Sequence, residues 1–385
     1  MQHQFPIEAF AKQATPFYYY DMDLLGRTLS EVKIETSRYG FEEHYAVKAN
    51  ANPILLKTIA AAGFGADCVS GGEIEAALEA GFPASHIVYA GVAKSDWEIR
   101  LALKCGIACF NVESEAEMRI ISEIAVELHA TARIALRVNP NVDAHTHAKI
   151  TTGLSENKFG INLSMLEHAL QLAQSLPNLQ LQGLHFHIGS QITDLGVFRT
   201  LVTTVNRLVA DLKGKGYRFD SLNFGGGLGI DYQDPIGNPI PDFKGYFALF
   251  DELLDRTGIG QVHFELGRAI VAQCGSLIAK VLYVKEGEVK KFAILDAGMT
   301  DLIRPAMYDA YHYIENISSD KPKQTYDIVG PICESSDVFG KDRQVAACQR
   351  GDLMAIRSAG AYGEAMASTY NLRKLPKSFF SDTIQ

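Results

Sequence analysis

The side chains that could do chemistry are polar residues inside apolar, strand-like segments, and Lys48 is the first of them. It lies in the apolar segment 44–50. A lysine in such a segment loses hydration, so we expect it to be paired or covalently modified. A salt bridge at the end of a strand would explain Lys48 taken alone. Alternatively, its amine is a nucleophile that forms a Schiff base with a carbonyl compound.

Three consecutive glycines, at 225–227, and an acidic residue, Glu265, add to this picture. Glycines allow the backbone to approach an oxyanion and to aim N–H groups at it, although an ordinary turn is the alternative. Glu265 could be a structural partner of Arg268. It could instead face the pyridine nitrogen of a cofactor, where a carboxylate keeps that nitrogen protonated and makes the ring a strong electron sink. Such a sink suits decarboxylation better than racemisation.

Two histidines, His185 and His187, lie two residues apart and would share one face of a strand. Metal ligation is possible, but no carboxylate or cysteine stands at metal-site spacing, so we predict no metal. We expect His187 to pack its flat ring on a cofactor. A second pair, His145 and His147, is predicted to lie in a solvated loop.

The elements that must position these residues alternate between short strands and longer helices, which is typical of a parallel sheet. Eight strand–helix units predict an α/β fold, a (β/α)8 TIM-type barrel, whose chemistry lies at the carboxyl ends of the strands. We predict capping boxes for Ser70 with Glu73, Ser95 with Glu98 and Ser114 with Glu117. The predicted strands are 44–50, 65–70, 86–91, 108–112, 133–140, 181–190, 221–227 and 262–267.

A second domain follows, because the segments 269–286, 290–297, 326–330 and 352–358 are β-rich. A length of 385 residues also exceeds the size at which a single hydrophobic core usually stops growing. We therefore predict a barrel over 22–267 and an all-β, sandwich-like domain over 268–385, completed by residues 1–21.

Composition limits the classes of function. The net charge of −9 makes nucleic acid and anionic membranes improbable partners. The six cysteines are too sparse for a disulfide framework, which favours a reduced, cytoplasmic protein. The N-terminal residues do not resemble a signal peptide, and no apolar run is long enough to span a bilayer.

Seven short motifs, taken in order, resemble the fold-type III pyridoxal-phosphate-dependent decarboxylases, whose barrel is similar to that of alanine racemase. The resemblance covers essentially the whole chain. The motifs are 45–50, 185–191, 225–229, 265–268, 304–308, 333–337 and 360–363.

The resemblance implies pyridoxal 5′-phosphate as the cofactor. Lys48 would hold it as a Schiff base, His187 would stack on its ring, and Glu265 would contact the pyridine nitrogen. The other residues that the resemblance places around the cofactor and its phosphate are Asp67, Ser190, Gly226, Gly227, Gly267, Arg268 and Tyr362.

The resemblance also implies a reaction, the decarboxylation of meso-2,6-diaminopimelate to L-lysine and carbon dioxide at the end of lysine biosynthesis. Cys333 would protonate the carbanion and Glu334 would recognise the distal ammonium. Members of the family are head-to-tail homodimers, so Cys333 and Glu334 would come from the partner subunit. The distal carboxylate and the rest of the substrate would meet Arg268, Arg304, Tyr308 and Tyr362.

Three alternatives remain. A related decarboxylase could act on ornithine, arginine or carboxynorspermidine, although the Cys333-Glu334 pair differs from the Cys-Asp typical of ornithine decarboxylases. A non-catalytic pyridoxal-phosphate carrier and a metal hydrolase are the others. One departure from the family is Leu266, where many relatives have proline, so this turn has a backbone N–H that proline lacks.

Overall fold

The computed structural model describes residues 5–142 and 158–384 of the chain, so the prediction for His145 and His147 lies outside the described residues. The chain forms two compact units. The barrel unit comprises Leu29–Gly229 and Asp242–Gly267, and the β unit comprises Met1–Thr28, Ile230–Pro241 and Arg268–Gln385. This division differs from the predicted domain boundaries at residues 22–28 and 230–241.

The barrel unit contains a closed ring of eight parallel strands, which confirms the predicted fold. Each strand pairs with the next in the chain, the eighth pairs with the first, and a two-residue strand, Ile161–Asn162, is added beside the fifth. The eight are Glu42–Ala46, Gly65–Cys68, Ile87–Tyr89, Cys109–Val112, Ala132–Asn139, Leu179–His185, Ser221–Asn223 and Gln261–Phe264.

Helices alternate with these strands, as expected for a (β/α)8 barrel. Ser95 and Glu98 form the predicted reciprocal capping box. The other two boxes were predicted wrongly in one detail, because the carboxylates of Glu73 and Glu117 accept from the residue before the cap rather than from the cap itself. The helices are Met22–Tyr39, Pro53–Ala61, Gly71–Ala80, Asp96–Cys105, Glu115–Glu127, Leu163–Ser175, Leu195–Gly214 and Phe243–Leu253.

An aromatic cluster supports the seventh and eighth strands. The ring of Phe264 lies 4.8 Å from that of Phe250 and 6.0 Å from that of Phe224 between centroids. Each such pair contributes about 0.5–1.5 kcal/mol beyond its buried area. Phe224 directly precedes the glycine run and Phe264 directly precedes Glu265. The cluster therefore anchors the backbone on which both features sit.

Seven of the eight barrel strands end earlier than predicted, among them the first, the sixth and the seventh. The first ends at Ala46, so Lys48 lies on a short 3-10 turn, Val47–Ala49, rather than in the strand. The sixth ends at His185, which places His187 and Ser190 in the loop that follows. The seventh ends before the glycines. Apolar sequence continues past each strand end because these loops stay buried, and hydrophobicity alone could not separate strand from loop.

The β unit is built on an eight-stranded mixed sheet. Its N-terminal strand pairs antiparallel with the start of the longest strand and parallel with the last one. The predicted β-rich stretch 269–286 begins instead with a short helix, Arg268–Val271, and two further short helices are Ile7–Ala11 and Arg304–Tyr308. The strands are Phe17–Tyr20, Gly275–Glu286, Lys291–Leu295, Ile314–Asn316, Lys323–Val329, Val338–Ala346, Leu353–Ile356 and Lys377–Phe380.

Candidate active site

Glu265 is the centre of polar contacts at the carboxyl end of the barrel. Its Oε2 lies 2.8 Å from His185 Nε2, and its Oε1 accepts hydrogen bonds from Asn111 Nδ2 at 3.0 Å and Asn223 Nδ2 at 2.7 Å. Burial by itself would raise the pKa of Glu265, but the charge and hydrogen bond of His185 hold it below its usual range. The carboxylate is therefore anionic although it is buried.

A second buried carboxyl group, Asp67, lies on the second strand. No described residue offers a hydrogen bond to its Oδ1. Burial, followed by the nearby charge of Glu265, raises the pKa of Asp67, while Lys48 acts in the opposite direction. A buried polar atom left over in this way is expected where a ligand supplies the missing contact. Lys48 itself is exposed.

His187 offers a flat, neutral ring in the loop after the sixth strand. The N–H of Gly226 donates to His187 Nδ1 at 3.3 Å, so the ring proton is on Nε2. Burial lowers the pKa of His187 well below its usual value, and the charges of Lys48 and Arg137 lower it further. A neutral imidazole of fixed tautomer is suited to stacking on an aromatic ring.

The glycine loop, residues 225–227, does not accommodate a residue larger than glycine. Gly225 has a φ of +65° and Gly227 a φ of +119°, which side chains disfavour. A Cβ on Gly226 would lie 2.2 Å from the carbonyl oxygen of Glu265. The N–H of Ile192 donates to the carbonyl of Gly227 at 2.9 Å, which ties this loop to the one that carries Ser190. The glycine loop and the loop that carries Ser190 thus lie side by side.

These barrel residues fit pyridoxal phosphate. Glu265 is an anion suited to a pyridinium nitrogen, and His187 is a flat ring. Asp67 has an unsatisfied buried oxygen, the glycine run brings its backbone against that of Glu265, and Lys48 is exposed. An amine, a ring acceptor, a stacking face and a glycine-rich phosphate loop are the groups that this cofactor requires.

Sequence reasoning missed a buried ion pair beside this site. Arg137 Nη1 lies 2.6 Å from Glu113 Oε1, and both side chains are almost fully buried. Glu113 Oε2 accepts from the N–H of Gly160 at 2.8 Å, and the guanidinium lies 4.7 Å from the ring centroid of Phe159. An arginine within the apolar segment 134–138 is the sequence feature that could have indicated this buried ion pair. Asn111 and Asn223 are likewise polar residues within strands, and they could have been recognised as candidate site residues in the same way.

In the β unit, two buried arginines share aromatic partners. Arg268 donates through Nη1 to the hydroxyl of Tyr232 at 2.7 Å and lies 5.0 Å from the ring of Tyr362. Arg304 lies 4.9 Å from the ring of Tyr232. Both arginines are at most 6% exposed. Stacked guanidinium groups keep their charge and hydrogen-bond donors, and they are the usual partners of carboxylates.

The other predicted residues of the β unit are found at its surface or near it. Tyr308 ends a short helix and is half-buried, whereas Cys333 and Glu334 are exposed. The hydroxyl of Tyr370 donates to Glu334 Oε1 at 2.6 Å, a contact that the sequence did not suggest. Glu334 is therefore oriented while it remains accessible to a ligand.

The turn after Glu265 shows what the leucine at 266 does. The N–H of Leu266 donates to Glu43 Oε1 at 2.6 Å. Burial raises the pKa of Glu43, and this backbone hydrogen bond acts against that shift. A Cβ on Gly267 would lie 2.9 Å from the Cβ of Ala49, so the backbone passes close to the segment that carries Lys48. A proline at 266 would remove the donor to Glu43.

Two further findings concern membrane spans and metal ligands. Within residues 5–142 and 158–384, no helix has the length and apolar character needed to cross a bilayer. In the same residues, no three histidine, cysteine, aspartate or glutamate side chains meet as metal ligands would. His185, which the metal-hydrolase alternative required, instead contacts Glu265.

Comparison with known proteins gives the family. Residues 27–272 match the family model described as the pyridoxal binding domain of pyridoxal-dependent decarboxylases. This chain belongs to the pyridoxal-dependent decarboxylase family. Its cofactor is therefore pyridoxal phosphate, as the resemblance of the motifs implied.

The relatives are similar over nearly their whole length. The chain is 57% identical to the diaminopimelate decarboxylase of Bacteroides thetaiotaomicron over 385 residues, which is all of both chains. It is 44% identical to that of Vibrio cholerae, covering 96% of this chain and 88% of the relative. A crystal structure of the Helicobacter pylori diaminopimelate decarboxylase in complex with L-lysine matches with a TM-score of 0.92 at 39% identity, covering 98% of this chain and 95% of that one.

Proposed function

We propose that this chain decarboxylates meso-2,6-diaminopimelate to L-lysine and carbon dioxide, the last step of lysine biosynthesis. The observation that carries the proposal is the anionic Glu265, fixed by three hydrogen bonds at the end of the eighth barrel strand. Full-length relatives named diaminopimelate decarboxylase support the choice of substrate.

The cofactor, when bound, supplies an electron sink for the electron pair of the bond that breaks when carbon dioxide leaves. In the proposal, the amine of Lys48 holds the cofactor, and Glu265 keeps the proton on its ring nitrogen. His187 packs against one face of the ring and excludes water there. Gly226 and Gly227 would line the phosphate site, and the backbone N–H of Gly227 would donate to the phosphate, since the N–H of Gly226 already donates to His187.

The remaining cofactor assignments stay proposals as well. Ser190 and the amides of Gly267 and Arg268 would add donors to the phosphate, and Tyr362 would assist them. Asp67 would contribute a buried carboxyl group with an oxygen that still lacks a partner. Such a group binds a donor on the cofactor or lies unsatisfied at a cost of about 1–3 kcal/mol.

The choice of substrate rests on charge. The distal end of diaminopimelate carries a carboxylate and an ammonium group, so it needs a cation and an anion, whereas the distal end of ornithine needs only anions. Arg304 is buried against a neutral imidazole and an aromatic ring, so its charge is available to a carboxylate. We assign Arg268, Arg304, Tyr308 and Tyr362 to the distal carboxylate and Glu334 to the distal ammonium.

Proton transfer completes the reaction. Loss of carbon dioxide leaves an electron pair on the D-configured carbon, and a proton must reach the same carbon to give L-lysine. We assign this proton to the thiol of Cys333, which is exposed in the chain. A thiol is a competent general acid in such a step. We further propose a head-to-tail homodimer in the cytoplasm, in which the partner subunit delivers Cys333 and Glu334.

The decisive experiment combines a spectrum with a substrate panel. The purified protein is expected to be yellow, to change its absorbance on addition of meso-diaminopimelate, and to release L-lysine. Lys48→Ala should lose the borohydride-reducible absorbance and slow lysine release by about a thousandfold, a loss of roughly 4 kcal/mol. Full turnover by Lys48→Ala would refute the assignment of Lys48, and faster turnover of ornithine, arginine or carboxynorspermidine would refute the substrate.

A further inference from the structure

The opposite, amino-terminal mouth of the barrel opens into a polar cavity of about 190 Å³. Its lining includes Gln182, His44 and His263 together with Asn111 and Asn223. The two asparagines are 1% and 5% exposed. They also donate to Glu265, which is placed at the other end of the barrel. Their side chains therefore stand between this cavity and the carboxylate.

Both asparagines donate to the same oxygen. The distances from Asn111 Nδ2 and Asn223 Nδ2 to Glu265 Oε1 are 3.0 and 2.7 Å. The orientation of the Asn223 amide is unambiguous, because its Oδ1 accepts from the N–H of Gly225 at 2.8 Å. Its Nδ2 must then face the carboxylate. Asn223 thus links Glu265 to the first residue of the glycine loop.

His185 contacts the other oxygen of Glu265, Oε2, and it also acts as a hydrogen-bond donor. An ionised carboxylate can only accept hydrogen bonds, so His185 Nε2 carries a proton and donates to Glu265 Oε2. No described residue offers a hydrogen bond to the buried Nδ1 of His185. All three neighbours therefore donate to Glu265, and none accepts from it.

We propose that Asn111 and Asn223 are positioning residues, which fix Glu265 and keep the proton that it shares with the cofactor's ring nitrogen on the ring. The proposal rests on the proposed function, in which Glu265 faces that nitrogen. It goes beyond it, because neither asparagine touches the cofactor in the proposal and neither belongs to the motifs that define the family resemblance.

The physical reason is competition for one proton. A carboxylate that accepts hydrogen bonds from two neutral amides is stabilised as the anion, so its affinity for a further proton falls. Each donor to a charged acceptor changes such an equilibrium by about tenfold or more. With fewer donors, the shared proton moves toward Glu265, the ring becomes a weaker electron sink, and decarboxylation slows.

The test is a nitrogen-15 NMR spectrum of the holoenzyme loaded with pyridoxal phosphate labelled at the ring nitrogen. Asn111→Leu removes one donor at similar volume, and Asn223→Ser leaves a side chain too short to reach Oε1. We expect the resonance to move from the pyridinium position toward that of neutral pyridine in each variant, and further in the double variant. The kcat should fall about tenfold for each.

Matched controls separate this effect from a general disturbance of the barrel. Gln182→Leu removes an amide from the same cavity but no contact with Glu265, and it should leave the resonance and kcat unchanged. Glu265→Gln gives the reference position for a ring without its carboxylate. Should Asn111→Leu fail to fold, Asn111→Ser replaces it.

The outcomes are distinguishable. In one outcome the cofactor is bound and the resonance shifts in Glu265→Gln, but it stays unchanged in both asparagine variants. That result would overturn the inference and leave the role of Glu265 intact. A wild-type ring nitrogen that is already unprotonated, or a resonance that does not respond to Glu265→Gln, would overturn the proposed role of Glu265 and this inference with it.

Discussion

Arg304 Nη1 lies 2.8 Å from His312 Nε2, and the Nδ1 of the same imidazole lies 2.8 Å from the carbonyl oxygen of Arg357. The carbonyl can only accept, so His312 Nδ1 carries the proton and Nε2 accepts from the guanidinium. Burial lowers the pKa of His312 to about 3, and the charge of Arg304 acts in the same direction. A neutral ring therefore orients Arg304 without cancelling its charge.

The first prediction concerns substrate binding. His312→Leu removes the acceptor for Arg304, so the guanidinium should lose its orientation toward the distal carboxylate of the substrate. We expect KM for meso-diaminopimelate to rise about tenfold to a hundredfold while kcat changes much less. His312→Gln keeps an acceptor oxygen and should restore most of the affinity. Steady-state kinetics measure both, and an unchanged KM in His312→Leu would contradict this role.

The second prediction concerns stability against pH. Because the folded pKa of His312 is about 3 and the unfolded value is about 6.5, only the unfolded chain takes up this proton between those values. The free energy of unfolding should therefore fall as the pH falls below about 6.5, by about 1.4 kcal/mol for each pH unit. Above that range the group contributes nothing to the pH dependence.

Urea unfolding at pH 7 and pH 5 measures this contribution. Between these values the wild-type protein should lose about 2 kcal/mol more than His312→Gln, which has no group to titrate. Other buried groups titrate in both proteins and cancel in the comparison. Equal losses in the two proteins would show that His312 is protonated in the folded state.

The third prediction concerns the assembly. If Lys48 and Cys333 of one active site come from different subunits, then a mixed dimer of Lys48→Ala and Cys333→Ala contains one intact site. Each variant alone should be nearly inactive, with Cys333→Ala reduced by about 10²–10⁴-fold. After random exchange of subunits, the mixture should recover about a quarter of wild-type activity.

Two measurements accompany this test. Light scattering gives the mass of the assembly, and a mixture of Lys48→Ala with wild-type protein controls for the effect of subunit exchange itself. Recovery of no activity after confirmed exchange would mean that one subunit supplies both residues.

The fourth prediction concerns Leu266. Leu266→Pro removes the N–H that donates to the buried Glu43, so we expect a loss of about 1.5–3 kcal/mol in the free energy of unfolding. Leu266→Met keeps the N–H and the side-chain volume, and it should cost less than about 1.5 kcal/mol. Urea unfolding compares the two. Equal stabilities would mean that Glu43 finds another donor.

Much of the fold could be predicted from the sequence because its signals are local. The alternation of apolar strands with amphipathic helices predicted the eight-stranded barrel, and the glycine run pointed to a loop in which only glycine fits. The ends of the strands were less accurate. The backbone leaves the sheet at Ala46 and His185 although the apolar sequence continues, and hydrophobicity does not report hydrogen bonding between strands.

The sequence by itself determined which residues could do chemistry, since a lysine, two histidines and a glutamate in apolar segments are expensive to bury without a purpose. Only the tertiary structure decided how those residues are held. Asn111, Asn223 and Glu265 are far apart in the chain and meet only because the barrel closes, and His312 reaches Arg304 only through the folding of a loop. A hydrogen bond forms only when the donor–acceptor distance falls within a range of about a few tenths of an ångström. Residue types and their spacing along the chain do not encode distances between atoms to that precision.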